Sequence, residues 1–337
     1  MKKILIIHSF GMGDMIMALP MISQLKIEYP NSLIDLLILQ NAAKLPLKNN
    51  KNINEIYSLS HKFSKLFQII KKLRNNHYDV SITTSIAMKS NTVKLSLLSF
   101  FINAKQRVGE YHKVAFPFLY TDYNHFFQKK HRVISNMELL SLVSKKLYRI
   151  DKIPKIKINL DKTEIDFAER FFQDNLDAFK KTMIVHIGTS PQGEHRRWDL
   201  KKFENLIKLL KEKLSLEIII IAGPAEIKIS ERLASQTGSL LVKNQPLGNI
   251  AALMNRADYF LNSDSGLGHV ASAFDIKIFV IFGPGDENKT KPFNIGSTVI
   301  SNNIPCRPCL YPPKNCDITC LKELSVIDVF NKIKLGV

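Results

Sequence analysis

The chain has 337 residues, 45% hydrophobic and 23% charged, with a formal net charge of +18. That length exceeds what one core usually covers, so two domains are expected, and the composition is that of a globular, soluble protein. No apolar run approaches the length of a bilayer span, which excludes a helical membrane protein, and His8 and Asp14 interrupt the N-terminal apolar run too early for a secretory signal. A cytoplasmic location is the expectation.

The charge is uneven. Residues 1–165 hold 26 Lys+Arg and 11 Asp+Glu, a net of +15, whereas residues 166–337 hold 22 and 19, a net of +3. Such a field attracts polyanions, namely nucleic acid, an anionic membrane surface or an acidic substrate; a lysine-rich solvated surface is the plainer alternative.

"KILIIH" reads as a first buried strand of a parallel sheet, followed by a glycine turn and a helix from about Asp14 to Tyr29, which Pro30 ends. "SLIDLLIL" is the next strand, "KFSKLFQIIKKLRNN" a helix and "YDVSITTS" a strand; residues 87–150 read as helical and basic, with "FPFLY" and "HFFQKKHR" as aromatic loops. After the extended "KIPKIKINL", "KTEIDFAERFFQDNLDAF" is an amphipathic helix leading out of the first half. A second strand–loop–helix series begins at "KTMIVHIGTS" and continues through strands "LEIIIIAG", "SLLV", "DYFLNS" and "KIFVIFG". Two successive series of this kind predict an α/β chain of two Rossmann-like, doubly wound domains, 1–165 and 166–337, facing each other across a cleft with ligands at the strand carboxyl ends.

The first turn, Gly11-Met12-Gly13-Asp14, resembles a nucleotide loop, but Ile16 replaces the third glycine and no acidic residue closes the second strand, so an NAD site is not supported. A carboxylate there repels phosphate. Asp14 either caps the helix or serves as a general base for a neutral hydroxyl.

"HIGTSPQGEHRRWDLKKF" places Thr189, Ser190, Arg196 and Arg197 after a strand end, where guanidinium groups suit a leaving diphosphate; for one of the two arginines a solvated role beside a core Trp198 is equally natural. "NSDSGLGHVASAF" gives Asp264, Ser265, Gly266 and Gly268 in a turn into a helix, with backbone N–H groups for phosphate and a carboxylate for sugar hydroxyls; an ordinary strand–helix turn has the same composition. His269 lies in the first helical turn, where packing competes with ligand contact. All four cysteines, Cys306, Cys309, Cys316 and Cys320, occupy "CRPCLYPPKNCDITC", as free thiols or as a structural zinc site.

"GDMIMALP", "RRW" after "VHIGTS", "NSDSGLGHVASAF", "FGPGDENKTKPF" and the cysteine-bearing tail, in this order over almost the whole chain, resemble glycosyltransferase family 9, the heptosyltransferases of lipopolysaccharide core synthesis. The resemblance implies a GT-B pair of domains, the first holding the acceptor and the second an ADP-sugar. It implies Asp14 as base in the turn of Gly11 and Gly13, Thr189, Ser190 and Arg196 near the diphosphate, Glu226 near the ribose, Gln245 at the adenine edge, and Asp264, Ser265 and Gly266 on sugar and phosphate with His269 nearby. Arg196 stands where the family usually has lysine, and "PQGEH" lengthens the loop before it. The implied reaction is inverting transfer of heptose from ADP-heptose to an anionic lipopolysaccharide-core acceptor, with peripheral contact at the inner face of the membrane. With no D-x-D motif, no catalytic metal is expected. A nucleotide-sugar epimerase is the alternative. A basic nucleic-acid-binding protein is a third, and the expectation is against nucleic acid, because no recognition motif accompanies the charge.

Overall fold

A computed structural model describes residues 1–59, 63–84, 89–111, 116–125, 130–189, 191–309 and 316–337. The chain forms two compact units, Met1–Ile158 and Asn159–Val337. Their boundary falls ahead of the helix at 162–175, not within it as a division at 165/166 would require.

In the first unit β1 (Lys3–His8) leads into α1 (Met12–Glu28), then β2 (Leu33–Ile38), β3 (Glu55–Ser58), α2 (Phe63–Asn75), β4 (Val80–Thr83), α3 (Lys89–Ile102), β5 (Gln106–Tyr111), β6 (Asp122–His125) and α4 (Arg132–Ser144). The described strands form one sheet in the order β3-β2-β1-β4-β5-β6, every neighbour parallel. Ile4 to Ile7 are fully buried on both faces of central β1, which is why that strand reads as an unbroken apolar run. α1 is buried from Met15 to Ile22 and packs against α4.

The second unit runs α5 (Lys162–Asn175), β7 (Thr182–His186), α6 (Leu200–Leu214), β8 (Glu217–Ala222), α7 (Ile227–Thr237), β9 (Leu240–Lys243), α8 (Leu247–Arg256), β10 (Tyr259–Ser263), α9 (Gly266–Ala271), β11 (Lys277–Phe282), α10 (Glu287–Thr290), β12 (Ser297–Ser301), α11 (Thr319–Lys322) and α12 (Val326–Lys334). Its sheet has the order β12-β11-β10-β7-β8-β9, again parallel throughout. Trp198 is fully buried; its indole N–H donates to Leu324 O at 3.2 Å and its ring meets Phe203 edge-on at 5.1 Å.

Both units are therefore doubly wound α/β sheets, as the two strand–helix series predict. The strand order reverses between β1 and β4 in one unit and between β7 and β10 in the other, the crevice where such sheets bind ligands. Residues 87–150 are not simply helical: β5 and β6 lie between α3 and α4. The sequences "QRVGEY" and "DYNH" are polar, and β6 is an edge strand, so neither leaves an apolar run. β3 and β12, the edge strands of the opposite kind, escape a hydrophobic reading for the same reason. Half of "HFFQKKHR", residues 126–129, lies outside the described residues. Among the described residues no helix is long and apolar enough to cross a membrane.

Candidate functional site

The glycine turn of the first unit sits at the β1/β4 reversal. His8 ends β1, with Nδ1 2.9 Å from Thr84 Oγ1 just past β4 and Nε2 3.4 Å from Gly11 O. Complete burial lowers its pKa from 6.5 to about 4, so the ring is neutral at pH 7 and acts as a brace for the turn. Gly11 is the N-cap of α1 with extended backbone (φ −80, ψ −164), and no side chain caps it. Gly13 and Asp14 follow as the second and third residues of the helix. Asp14 is thus half-buried in the first turn of a 17-residue helix. It does not occupy the N-cap position, which Gly11 takes.

In the second unit the corresponding reversal gathers most of the remaining candidates. Asp264 follows β10 and is buried; Arg196 Nη1 donates to its Oδ2 at 3.1 Å. Burial holds the Asp264 carboxyl above its ordinary pKa, and the Arg196 guanidinium is the main opposing influence. The "PQGEH" segment curls into a short 3-10 turn ending at Arg196. Its glycine makes that possible: a Cβ on Gly193 would lie 2.5 Å from Arg196 Nη2, so the guanidinium folds down over bare backbone. His195 stands beside the pair, its pKa lowered by burial and by Arg196.

Arg197 points inward as well. Its charge lowers the pKa of His186, the last residue of β7, second only to the burial that brings it to about 4. It also opposes the burial that raises Glu226. Glu226 is the N-cap residue of α7 and lies across the end of β7, so that a Cβ on Gly188 would meet its carboxyl at 2.7 Å. Thr189 Oγ1 and the Nε atoms of Arg196 and Arg197 are buried without a hydrogen-bond partner among the described residues. Donors and acceptors left so at the carboxyl end of a sheet form a basin ready for a polar, anionic ligand.

Ser265 is the N-cap of α9, with Oγ 3.3 Å from Asn262 Nδ2 and 3.4 Å from His186 Nδ1. Asn262 also fills the space above Gly268, where a Cβ would lie 2.9 Å from its Nδ2. The N–H of Asp264 is spent on Ile281 O and that of Gly268 on Ser265 O, so the turn offers a ligand mainly the N–H groups of Gly266 and Leu267. His269 is buried in α9.

Gln245 stands apart, exposed beyond edge strand β9, and accepts from Asn249 Nδ2 at 2.8 Å. Ser190 lies outside the described residues. The four cysteines are free thiols; Cys320 is buried in the core beside Leu321 while Cys306 is exposed. Among the described residues no three His, Cys, Asp or Glu side chains are grouped to hold a metal ion.

The tail has a different part. Arg307, buried, donates to Gly283 O at 2.6 Å and Asn302 O at 3.1 Å and pairs with Glu287 at 2.8 Å, while Cys309 N–H donates to Pro284 O at 2.7 Å. These bonds pin the "GPGDE" loop, whose Gly285 lies so close to Asp264 that a Cβ there would come within 2.8 Å of its Oδ2. His186, Asn262 and Arg307 go beyond the residues singled out from sequence, whereas Arg197 was already named there as half of the "RR" doublet.

Residues 66–318 match the family model described as glycosyltransferase family 9 (heptosyltransferase). Lipopolysaccharide heptosyltransferase 3 of Escherichia coli K12 is 25% identical over 299 residues, 83% of this chain and 82% of that protein. The structure of E. coli ADP-heptose LPS heptosyltransferase II superposes with a TM-score of 0.76 at 18% identity, covering 99% of this chain and 98% of that one. E. coli heptosyltransferase WaaC, solved with ADP-2-deoxy-2-fluoro heptose, gives a TM-score of 0.72 at 18% identity over 99% and 100% of the two chains. With a family match over three quarters of its length and the same fold from end to end, the chain belongs to glycosyltransferase family 9, the heptosyltransferases.

Proposed function

We propose that the enzyme transfers heptose from ADP-heptose to the inner core of lipopolysaccharide, with inversion at the anomeric carbon. Its relatives are lipopolysaccharide and lipooligosaccharide heptosyltransferases, and a protein of the same fold was solved with a fluorinated ADP-heptose. The observation that carries the assignment is the pairing of half-buried Arg196 with buried Asp264 at the β7/β10 reversal, amid polar atoms that lack hydrogen-bond partners among the described residues.

Arg196, with Thr189 and Ser190, would hold the diphosphate, joined by Arg197 from the same turn. Glu226 would take the ribose, Gln245 the adenine edge, and Asp264, Ser265, Gly266 and Gly268 the sugar and adjoining phosphate, with His269 behind them. Asp14 would accept the proton from the attacking hydroxyl of the acceptor as that oxygen bonds to the anomeric carbon. The carbon–phosphate-oxygen bond breaks in the same displacement, ADP leaves with the electron pair, and the guanidinium groups offset its growing charge. Work on an inner-core acceptor would put the enzyme in the cytoplasm, in peripheral contact with the inner face of the membrane.

The test is direct. Incubation with ADP-heptose and a heptose-deficient core acceptor should release ADP and lengthen the acceptor by one heptose, detected by mass spectrometry. Release of ADP without a lengthened acceptor, or conversion of the donor alone as an epimerase would bring about, overturns the proposal.

A further inference from the structure

Four exposed phenylalanines among the described residues of the first unit are gathered in one place. The outward face of α3 carries Lys94, Leu97, Phe100 and Phe101 at helical spacing, and the last two rings meet edge-on at 5.9 Å. Phe118 approaches Phe100 at 6.5 Å and Phe116 at 5.6 Å, which extends the patch onto the turn before β6. These four phenylalanines are 39–65% exposed. An aromatic cluster left in water is unusual for a soluble surface and marks a binding face.

Its frame is cationic. The Arg107 guanidinium lies 5.6 Å from the Phe100 ring centre, and Arg74 Nη1 donates to Phe101 O at 3.5 Å. α2 adds exposed Lys71 on the face that also carries Phe67, 70% exposed. The whole unit, residues 1–158, holds 25 Lys+Arg against 9 Asp+Glu, a net of +16, whereas residues 159–337 net only +2. The patch sits where α3 ends and β5 and β6 begin, the amino edge of the parallel sheet, opposite the carboxyl edge that bears Asp14. It is therefore not the acceptor turn.

Phenylalanine side chains on a cationic surface bury at the boundary between headgroups and acyl chains, and lysine and arginine around them are drawn to anionic lipid. We infer that the patch centred on Phe100, Phe101, Phe116 and Phe118, framed by Arg74, Lys94 and Arg107, docks the enzyme on an anionic membrane surface. Charge complementarity selects that occupant, because a neutral protein partner would make no use of the cationic frame. The inference builds on the proposed lipid-borne acceptor, but its test does not involve that acceptor.

The purified full chain should co-sediment with phosphatidylglycerol-containing vesicles, hardly at all with pure phosphatidylcholine vesicles, and less as salt rises. The double variant Phe100→Ser/Phe118→Ser should lose about tenfold in vesicle affinity, since both signals are needed for firm attachment. Its melting temperature should still rise on addition of ADP-heptose as in the parent, which shows an intact second unit. Vesicle affinity equal to the parent's in that variant, no binding of anionic vesicles by the parent, or a parent dimer that the double variant dissolves would each overturn the inference. Transfer to a water-soluble truncated acceptor reports separately on the function proposed above, so either can fail alone.

Discussion

Arg196 Nη1 lies 3.1 Å from Asp264 Oδ2, although the two residues are 68 positions apart and belong to different loops. The pair joins the loop after β7 to the loop after β10, across the line where the sheet reverses. A charge-assisted bond of this kind fixes both side chains, and a partly desolvated carboxylate left alone is costly.

Arg196→Ala is expected to weaken ADP-heptose binding by about 1.5–3 kcal/mol, the usual loss for a hydrogen bond to a charged group. Titration calorimetry measures it. The same substitution should also lower the melting temperature, and Arg196→Ala/Asp264→Ala should recover part of that loss because no carboxylate is then stranded. Unchanged donor affinity in the single variant would remove Arg196 from the site.

For Asp14→Asn, turnover should fall by about 10²–10⁴-fold, the ordinary contribution of a general base, while donor affinity stays at the parent value. Asparagine keeps the size and polarity of the side chain in the first turn of α1 but cannot take a proton. Near-parental kcat would assign Asp14 to helix stability alone.

His8 and His186 make stability depend on pH. Both are buried with pKa lowered from 6.5 to about 4, so the folded state resists a proton that the unfolded chain accepts. The stability each contributes is complete above pH 6.5 and is lost as pH falls from 6.5 towards 4, roughly 3 kcal/mol apiece at the limit. Thermal melts across that window should show the decline, and His8→Asn should remove about half of it, the His186 share remaining. A melting temperature that stays level between pH 6.5 and 4 would contradict the burial-driven account.

Arg307→Ala removes the bonds to Gly283 O and Asn302 O and the pair with Glu287. Loss of a buried hydrogen-bonded guanidinium should destabilise the chain by about 1–3 kcal/mol. Because Gly285 of the pinned loop lies against Asp264, KM for the donor should rise as well. Denaturant melts and donor kinetics together check it; lower stability with an unchanged KM would make Arg307 a purely local fastening.

The central strands were legible because burial on both faces demands continuous apolar runs, as in "KILIIH" and "EIIIIA". Four strands were not: β3, β6 and β12 lie at sheet edges and β5 beside one, and their mixed side chains leave no apolar run, whereas edge strand β9 keeps one in "SLLV". For the site, turn composition pointed to Asp14, Arg196 and Asp264, since Gly, Asp and Arg beside strand ends have few bland uses together. His186 and Asn262 sit inside apolar strands and read as core, because nothing local says that a reversal of strand order will bring β7 and β10 side by side. Arg307 hid within a cysteine pattern that suggested a metal, and its role depends on a loop more than 20 residues earlier.

The start of α5 settles where this protein can be divided. Asp161 and Glu164 exchange backbone and side-chain bonds at 3.0 and 2.8 Å, and Glu164 presses so closely on Gly248 of α8 that no side chain fits there. A fragment cut at 165/166 would lose that first turn, expose the underside of α8 and forfeit its own initiation signal. One beginning at Asn159 carries both, and is the piece to express when the second unit is wanted by itself.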